Sequence, residues 1–183
     1  MLITFYGVRG STPSPGPTTV KYGGNTSCVL VELSNGERLI LDSGTGMRTL
    51  GKELIKDNGS INSILSHGHW DHIQGYPFFA PIYQPDRQIN VFTSDEGGQK
   101  LLFSLFDQMD GYNFPLKQED LPSNSECIFK SAETVLFEKH IRILKKPLNH
   151  PGGGSAYRIE DCLLYTSPSP RDSLHNLVLR LML

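Results

Sequence analysis

Cysteine is sparse in this sequence. Its three residues, Cys28, Cys127 and Cys162, stand far apart and form no C-x-x-C pair. That count supplies no disulfide framework and suits a reducing cytoplasm. Long apolar runs are missing too: no stretch approaches the roughly 18 apolar residues of a membrane helix. The opening MLITFYGVRGS reaches Arg9 without the apolar core of a signal peptide. Charge of one sign is not in excess, since 17 Lys and Arg face 19 Asp and Glu for a formal net charge of −2. A basic footprint for nucleic acid is therefore not expected. Internal repeats are absent. What is left is a 183-residue chain, 38% hydrophobic and 20% charged, the composition of one cytoplasmic globular domain with a single core.

Local patterns place the elements. Residues 2–8 mix β-branched and aromatic side chains and predict a first strand, followed by a Gly, Ser and Pro-rich loop over 9–16. Residues 27–33 and 38–41, separated by Ser34-Asn35-Gly36, predict a hairpin. Apolar residues at 47, 50, 54 and 55 predict an amphipathic helix over 47–56, closed by Asn58-Gly59. Strands are expected over 61–65 and 89–93 and near 126–129, 140–144 and 156–159, with a second helix over 99–109. The polar stretch 110–125, with Tyr112, Phe114 and Pro115, predicts a surface insertion or lid. Strands outnumber helices, yet the two alternate enough to suggest sheets with helices outside.

The chemistry is concentrated in Ser66-His67-Gly68-His69-Trp70-Asp71-His72, directly after the predicted strand 61–65. Three of the six histidines and an aspartate fall within six positions. In an extended backbone His67 and His69 point to one side. Asp71 and His72 follow as the chain turns into the next element. Imidazoles with a carboxylate are the ligand set of Zn²⁺, and they also suit Mn²⁺ or Fe²⁺.

This H-x-H-x-D-H pattern resembles the signature of the metallo-β-lactamase superfamily. Leu41-Asp42-Ser43-Gly44-Thr45-Gly46 is similar to its strand-end Asp-x-Gly motif. His150, in Leu148-Asn149-His150-Pro151-Gly152-Gly153, stands where the family places the third histidine of its first metal. The resemblance covers residues 2–161. It implies an α+β fold, the αββα sandwich of that family, of which the chain carries only the N-terminal part. It implies a metal-dependent hydrolase with two divalent ions, zinc with Mn or Fe as alternatives. His67, His69 and His150 would bind the first metal, and Asp71 and His72 the second, with Asp71 also catalytic. Asp42 would hold a ligand's other ring nitrogen or the loop backbone. Residues 7–11 and 22–27 (GVRGS, YGGNTS) resemble the branch with cyclic phosphodiesterases and tRNA 3′-processing endonucleases. The substrate implied is a small phosphodiester such as a cyclic nucleotide, attacked by metal-bound hydroxide. Nucleic acid is not favoured, no membrane is involved, and a homodimer is compatible. Asn25 and Thr26 are either site neighbours or a polar turn. Trp70 is expected to pack, and Tyr112 and Phe114 either cap a substrate or form the insertion's own small core. His140 is expected to be structural.

The family pattern also needs a bridging aspartate and a final histidine, and neither is found within residues 1–161. After Asp161 the character changes: CLLYTSPSPRD, residues 162–172, reads as one frame of a transposase-based sequencing adapter. We therefore expect a partial metallo-β-lactamase domain over 1–161 and a non-native tail over 162–183. Asp172 and His175 mimic the missing ligands, but they lie in that tail and are set aside. Three alternatives stand beside the phosphodiesterase: a tRNA 3′-processing nuclease, a thioester or lactam hydrolase on the same fold, and an inactive metal-binding fragment.

Overall fold

The computed structural model of the chain describes residues 1–94, 98–130, 133–134, 141–161 and 179–180. A six-stranded sheet runs in the order β1 (Leu2–Gly7), β2 (Cys28–Glu32), β3 (Arg38–Leu41), β4 (Ile61–Ile64), β5 (Gln88–Ser94), β6 (Asn124–Lys130). The first three strands are antiparallel, and β3 to β6 are parallel. All three parallel connections carry helices, α1 (Gly46–Leu54) between β3 and β4, the one-turn α2 (Trp70–Ile73) between β4 and β5, and α3 (Gly98–Phe106) between β5 and β6. The 34–36 turn forms as expected, with Gly36 at φ +87° letting the chain reverse.

A second sheet orders β10 (Leu179–Arg180), β9 (Ser155–Asp161), β8 (Ile141–Pro147) and β7 (Glu133–Thr134), all antiparallel. The two residues of β10 pair Leu179 with Ile159 and Arg180 with Arg158. Among the described residues no helix is long and apolar enough to cross a membrane.

Alternation along the central strands creates two cores. Cys28, Leu30, Ile40, Ile61, Ile89 and Val91 face α1 and α3, where Met47, Leu50, Leu102 and Leu105 meet them. Val29, Val31, Leu39, Leu41, Ile64 and Phe92 face the other way, against Ile141, Ile143 and Ile159 of the second sheet. Burial on both faces explains why β2 and β3 read as near-continuous apolar runs. The layering is helix, sheet, sheet, the α+β arrangement expected of a partial sandwich.

One feature departs from the sequence reading. Two 3₁₀ turns, Tyr76–Phe78 and Ala80–Tyr83, bury Tyr76, Phe79 and Ile82 beneath α1 where no periodicity announces an element. Of the two readings of 110–125, the surface insertion matches the structure, and the segment lies away from the histidines. It leads into β6 at the starting end of the parallel strands, where Asp86 donates to the Pro122 carbonyl and Asn124 to that of Arg87. The histidine loop leaves the opposite end. Phe114 packs edge-on against Phe78, ring centres 5.6 Å apart, while Tyr112 is 94% exposed.

Candidate metal centre

The site forms where β3 and β4 end, the usual place for chemistry on parallel strands. Asp42 follows β3 with φ +62°, a left-handed conformation that aspartate tolerates better than most side chains. Residues 66–69 follow β4 and lead into α2 (Trp70–Ile73), a single turn with His69 at its N-cap. The two loops interlock through backbone bonds: Ser43 N–H donates to His72 O and Gly75 N–H to Ser43 O, both at 2.8 Å.

Asp42 is the hub. Its carboxylate is buried and accepts from Ser66 N–H at 2.7 Å, Ser66 Oγ at 2.9 Å, Ser27 Oγ at 3.3 Å and His72 Nδ1 at 2.7 Å. Because the Ser66 hydroxyl gives its proton to Asp42, its lone pairs accept from His67 Nδ1 at 2.9 Å. One carboxylate thus fixes the tautomers of two histidines, directly for His72 and through Ser66 for His67. In the neutral form of each ring that arrangement leaves Nε2 as the lone-pair nitrogen.

Those rings converge with others. His67 Nε2 lies 3.0 Å from His69 Nδ1, which lies 3.1 Å from His150 Nε2 across 81 positions of sequence. One nitrogen from each of the three falls within 4.8 Å of the others. His150 is delivered by the β8–β9 hairpin, whose turn uses Gly152 and Gly153 at φ +81° and +84°. That hairpin is tied to the histidine loop, with Ser155 N–H on Ser66 O and Tyr157 OH on Leu65 O, both at 2.9 Å.

Asp71 and His72 stand beside this trio, Asp71 Oδ2 3.4 Å from His72 Nε2. Ser11 N–H orients the Asp71 carboxylate at 2.7 Å. His72 also lies against His67, ring centres 4.1 Å apart. The cluster of ligand atoms within mutual reach comprises His67, His69 and His150 among the described residues, and Asp71 and His72 form a neighbouring pair. Trp70 is not packed as expected: it is 60% exposed, on a one-turn helix too short to bury it. Asn25 and Thr26 brace the loop below the site, Thr26 and Thr45 exchanging backbone-to-hydroxyl bonds at 2.8 Å and Thr45 reaching Asn25 Oδ1. His140, Asp172 and His175 lie outside the described residues.

The donor set fits a cation. Burial lowers His67 to a pKa of about 4, helped by His72, His69 and His150 and opposed by Asp42, so its ring is neutral at pH 7. For His72 burial disfavours the charge, but the hydrogen bond and charge of Asp42, with Asp71, carry the net shift upward. A tetrahedral zinc with nitrogens at about 2.1 Å sets its ligands roughly 3.4 Å apart, close to the two separations seen here. Three imidazole nitrogens this close together are within reach of a single cation.

Sequence reading singled out five candidate ligands and Asp42 but not the contacts of Ser66 and of the Ser11 backbone. Ser66→Ala removes the acceptor for His67 Nδ1–H and frees that ring to flip its tautomer. Zinc affinity at the three-histidine cluster is expected to fall about 10- to 100-fold, as when an outer partner of a ligand is lost. Ser66→Thr keeps the hydroxyl and is expected to retain affinity in a chelator-competition titration. Equal affinity in the alanine variant would remove Ser66 from this role.

A family model described as the metallo-beta-lactamase superfamily matches residues 22–166. Solved structures share the fold. YhfI of Bacillus subtilis, described as a metallo-beta-lactamase fold protein, is 20% identical over 87% of this chain and 57% of that one, TM-score 0.59. The short form of human tRNase Z is 18% identical over 86% and 62%, TM-score 0.54. Unliganded yeast PDE1 is 14% identical over 87% and 61%, TM-score 0.51. At these identities the likeness is one of fold, and the chain spans about three-fifths of the length of these structures. No curated protein sequence matches the chain.

Proposed function

The chain belongs to the metallo-beta-lactamase superfamily, and on that premise we propose that it is the metal-binding portion of a hydrolase that cleaves a small phosphodiester. The observation that carries the reading is the convergence of His67 Nε2, His69 Nδ1 and His150 Nε2 beside the Asp71–His72 pair. In this reading the three histidines hold one divalent ion and Asp71 with His72 a second, zinc being the first candidate. When bound, such ions acidify water and offset charge developing on phosphoryl oxygens. The chain's own residues do the positioning. Asp42 and Ser66 fix ring tautomers, Ser11 N–H holds the Asp71 carboxylate, and Tyr157 ties the His150 hairpin to the strand end.

Two nucleophilic side chains near the site, Cys28 and Ser66, offer no rival route. The Cys28 thiol is buried in β2, and burial with the nearby Asp42 charge pushes its pKa up. The Ser66 hydroxyl already gives its proton to Asp42. Fold likeness to tRNase Z keeps a tRNA 3′-end nuclease as the second reading, with the near-neutral net charge against it.

A parent with a domain-completing segment after residue 161 is expected to hydrolyse bis(p-nitrophenyl) phosphate. Chelation should stop turnover, and Zn²⁺ or Mn²⁺ should restore it. The 183-residue chain itself, with five of about seven family ligands, is expected to run at or near background. Two metal equivalents with phosphodiesterase turnover support the enzyme, and one equivalent without turnover supports the metal-binding fragment. Chelator-resistant turnover would end the metal mechanism.

A further inference from the structure

The chain has a single tryptophan, and it stands at the metal centre with its ring unused. Trp70 is 60% exposed, and among the described residues its indole makes no ring contact and no hydrogen bond. Its place is not that of a stray surface side chain. His69 before it brings Nδ1 to the other two histidines, and Asp71 after it pairs with His72. Consecutive Cα atoms are about 3.8 Å apart, so the indole is rooted between residues that serve the two proposed ion sites.

That root is held firmly. His72 N–H donates to His69 O and Gln74 N–H to Trp70 O, both at 2.9 Å. Helix α3 braces the same segment on either side of Trp70. A methyl group at Gly68 would lie 3.2 Å from Leu101 Cδ1, and Gln108 Nε2 donates to Ile73 O at 3.0 Å. The backbone is fixed while the ring stays free, which suits a preorganised contact surface.

An indole offers a broad apolar face with the electron-rich π-system that stacking uses. A diester bound between the ligands on either side of Trp70 brings its ester groups to this ring. Stacking asks of such a group only that it be planar and aromatic, as every nucleobase is.

We propose that Trp70 is a specificity-determining residue that stacks on a nucleobase of the substrate. The proposal rests on the phosphodiester reading and narrows it. The preferred diester carries a base beside the phosphate that is cleaved, and a diester of sugar alone binds poorly.

Equilibrium dialysis of the zinc-loaded 183-residue chain tests this with two probes. One is a purine 3′,5′-cyclic nucleotide, and the other is the methyl riboside 3′,5′-cyclic phosphate, the same diester without a base. The cyclic nucleotide is expected to bind about five- to tenfold more tightly, the lower part of the range for one base–aromatic stack. Trp70→Leu should bring the ratio close to one, and Trp70→Phe should keep part of it. Tyr112→Ala, which removes an exposed ring away from the histidines, should leave it unchanged. Because Trp70 is the only tryptophan, its emission should be quenched by the cyclic nucleotide with the Kd found by dialysis. Circular dichroism and zinc titration check that the variants keep the fold and the metal centre. A ratio near one in the unsubstituted chain, a ratio that survives Trp70→Leu, or failure of both probes to bind overturns the proposal. So does an indole that acrylamide no longer reaches in the completed parent, where the segment after residue 161 would then be its cover. An intact, Trp70-dependent ratio with no diester turnover by that parent upholds the stacking role and counts against the phosphodiester reading alone.

Discussion

His150→Ala is expected to weaken zinc binding at least about 100-fold, beyond the roughly 10- to 100-fold that follows loss of a ligand's outer partner. The size of the effect follows from where the nitrogen stands. His150 Nε2 is 3.1 Å from His69 Nδ1, and the three ring nitrogens lie within 4.8 Å of one another. A tetrahedral ion needs all three to exclude water from most of its coordination sphere. Without His150 the remaining pair are two residues apart on one loop and hold a metal as a short peptide would. His67→Ala and His69→Ala should match His150→Ala, because the geometry gives the three rings equal standing. Asn149→Ala, in the same hairpin turn, should leave affinity unchanged. Competition against a chromophoric chelator gives the measurement. Affinity of His150→Ala within about threefold of the parent chain, a difference of well under 1.4 kcal/mol, would separate His150 from the site.

The second large effect is structural. Gly75→Ala is expected to destabilise the fold by about 4 kcal/mol or more, beyond the usual range for overpacking. The reason is space and not dihedral freedom, since Gly75 sits at φ −84° and ψ −16°, where any residue is comfortable. A Cβ there would lie 1.9 Å from Gly44 O and 2.6 Å from Gly44 C, with Ser43 O at 3.0 Å. All three are backbone atoms of the loop that carries Asp42, so no side chain can move aside. Gly75 N–H also donates to Ser43 O, which pins the two loops at this distance. In a urea titration the midpoint should drop by roughly 2 M at typical slopes, or the variant should fail to fold. Gly59→Ala is the control, because its Cβ would meet only Asp57 Oδ1, at 3.4 Å. A Gly75→Ala midpoint equal to that of the control would show that the loops can part without cost.

Much of this site was legible before any coordinates. Histidines spaced by two after an apolar strand, and an aspartate ending the neighbouring strand, are side-chain signals that survive in text. His150 was legible as a candidate only through resemblance, since nothing local to the 148–153 turn singles it out. The rest was hidden for physical reasons. Ser11 orients Asp71 with its backbone N–H, a donor that every residue but proline owns. Ser66 is one serine among many until Asp42 and His67 are seen on either side of its hydroxyl. The 110–125 segment has the composition of a lid. Its position depends on the parallel crossover from β5 to β6, which returns the chain to the far end of the sheet. The 76–83 turns escape because their buried residues follow no helical or strand period over enough length to register.

The distance in sequence between the first two histidines and the third has a consequence in time. A ribosome adds roughly 5–20 residues per second, so His150 emerges about 4–16 s after His69, which it follows by 81 positions. During that interval a nascent chain offers an ion only the two nitrogens of the 67–69 loop, from which exchange is fast. On the proposed reading an ion would be retained only once the β8–β9 hairpin docks, with Ser155 and Tyr157 bonded to Ser66 and Leu65. Metal retention during synthesis would then report the arrival of the second sheet.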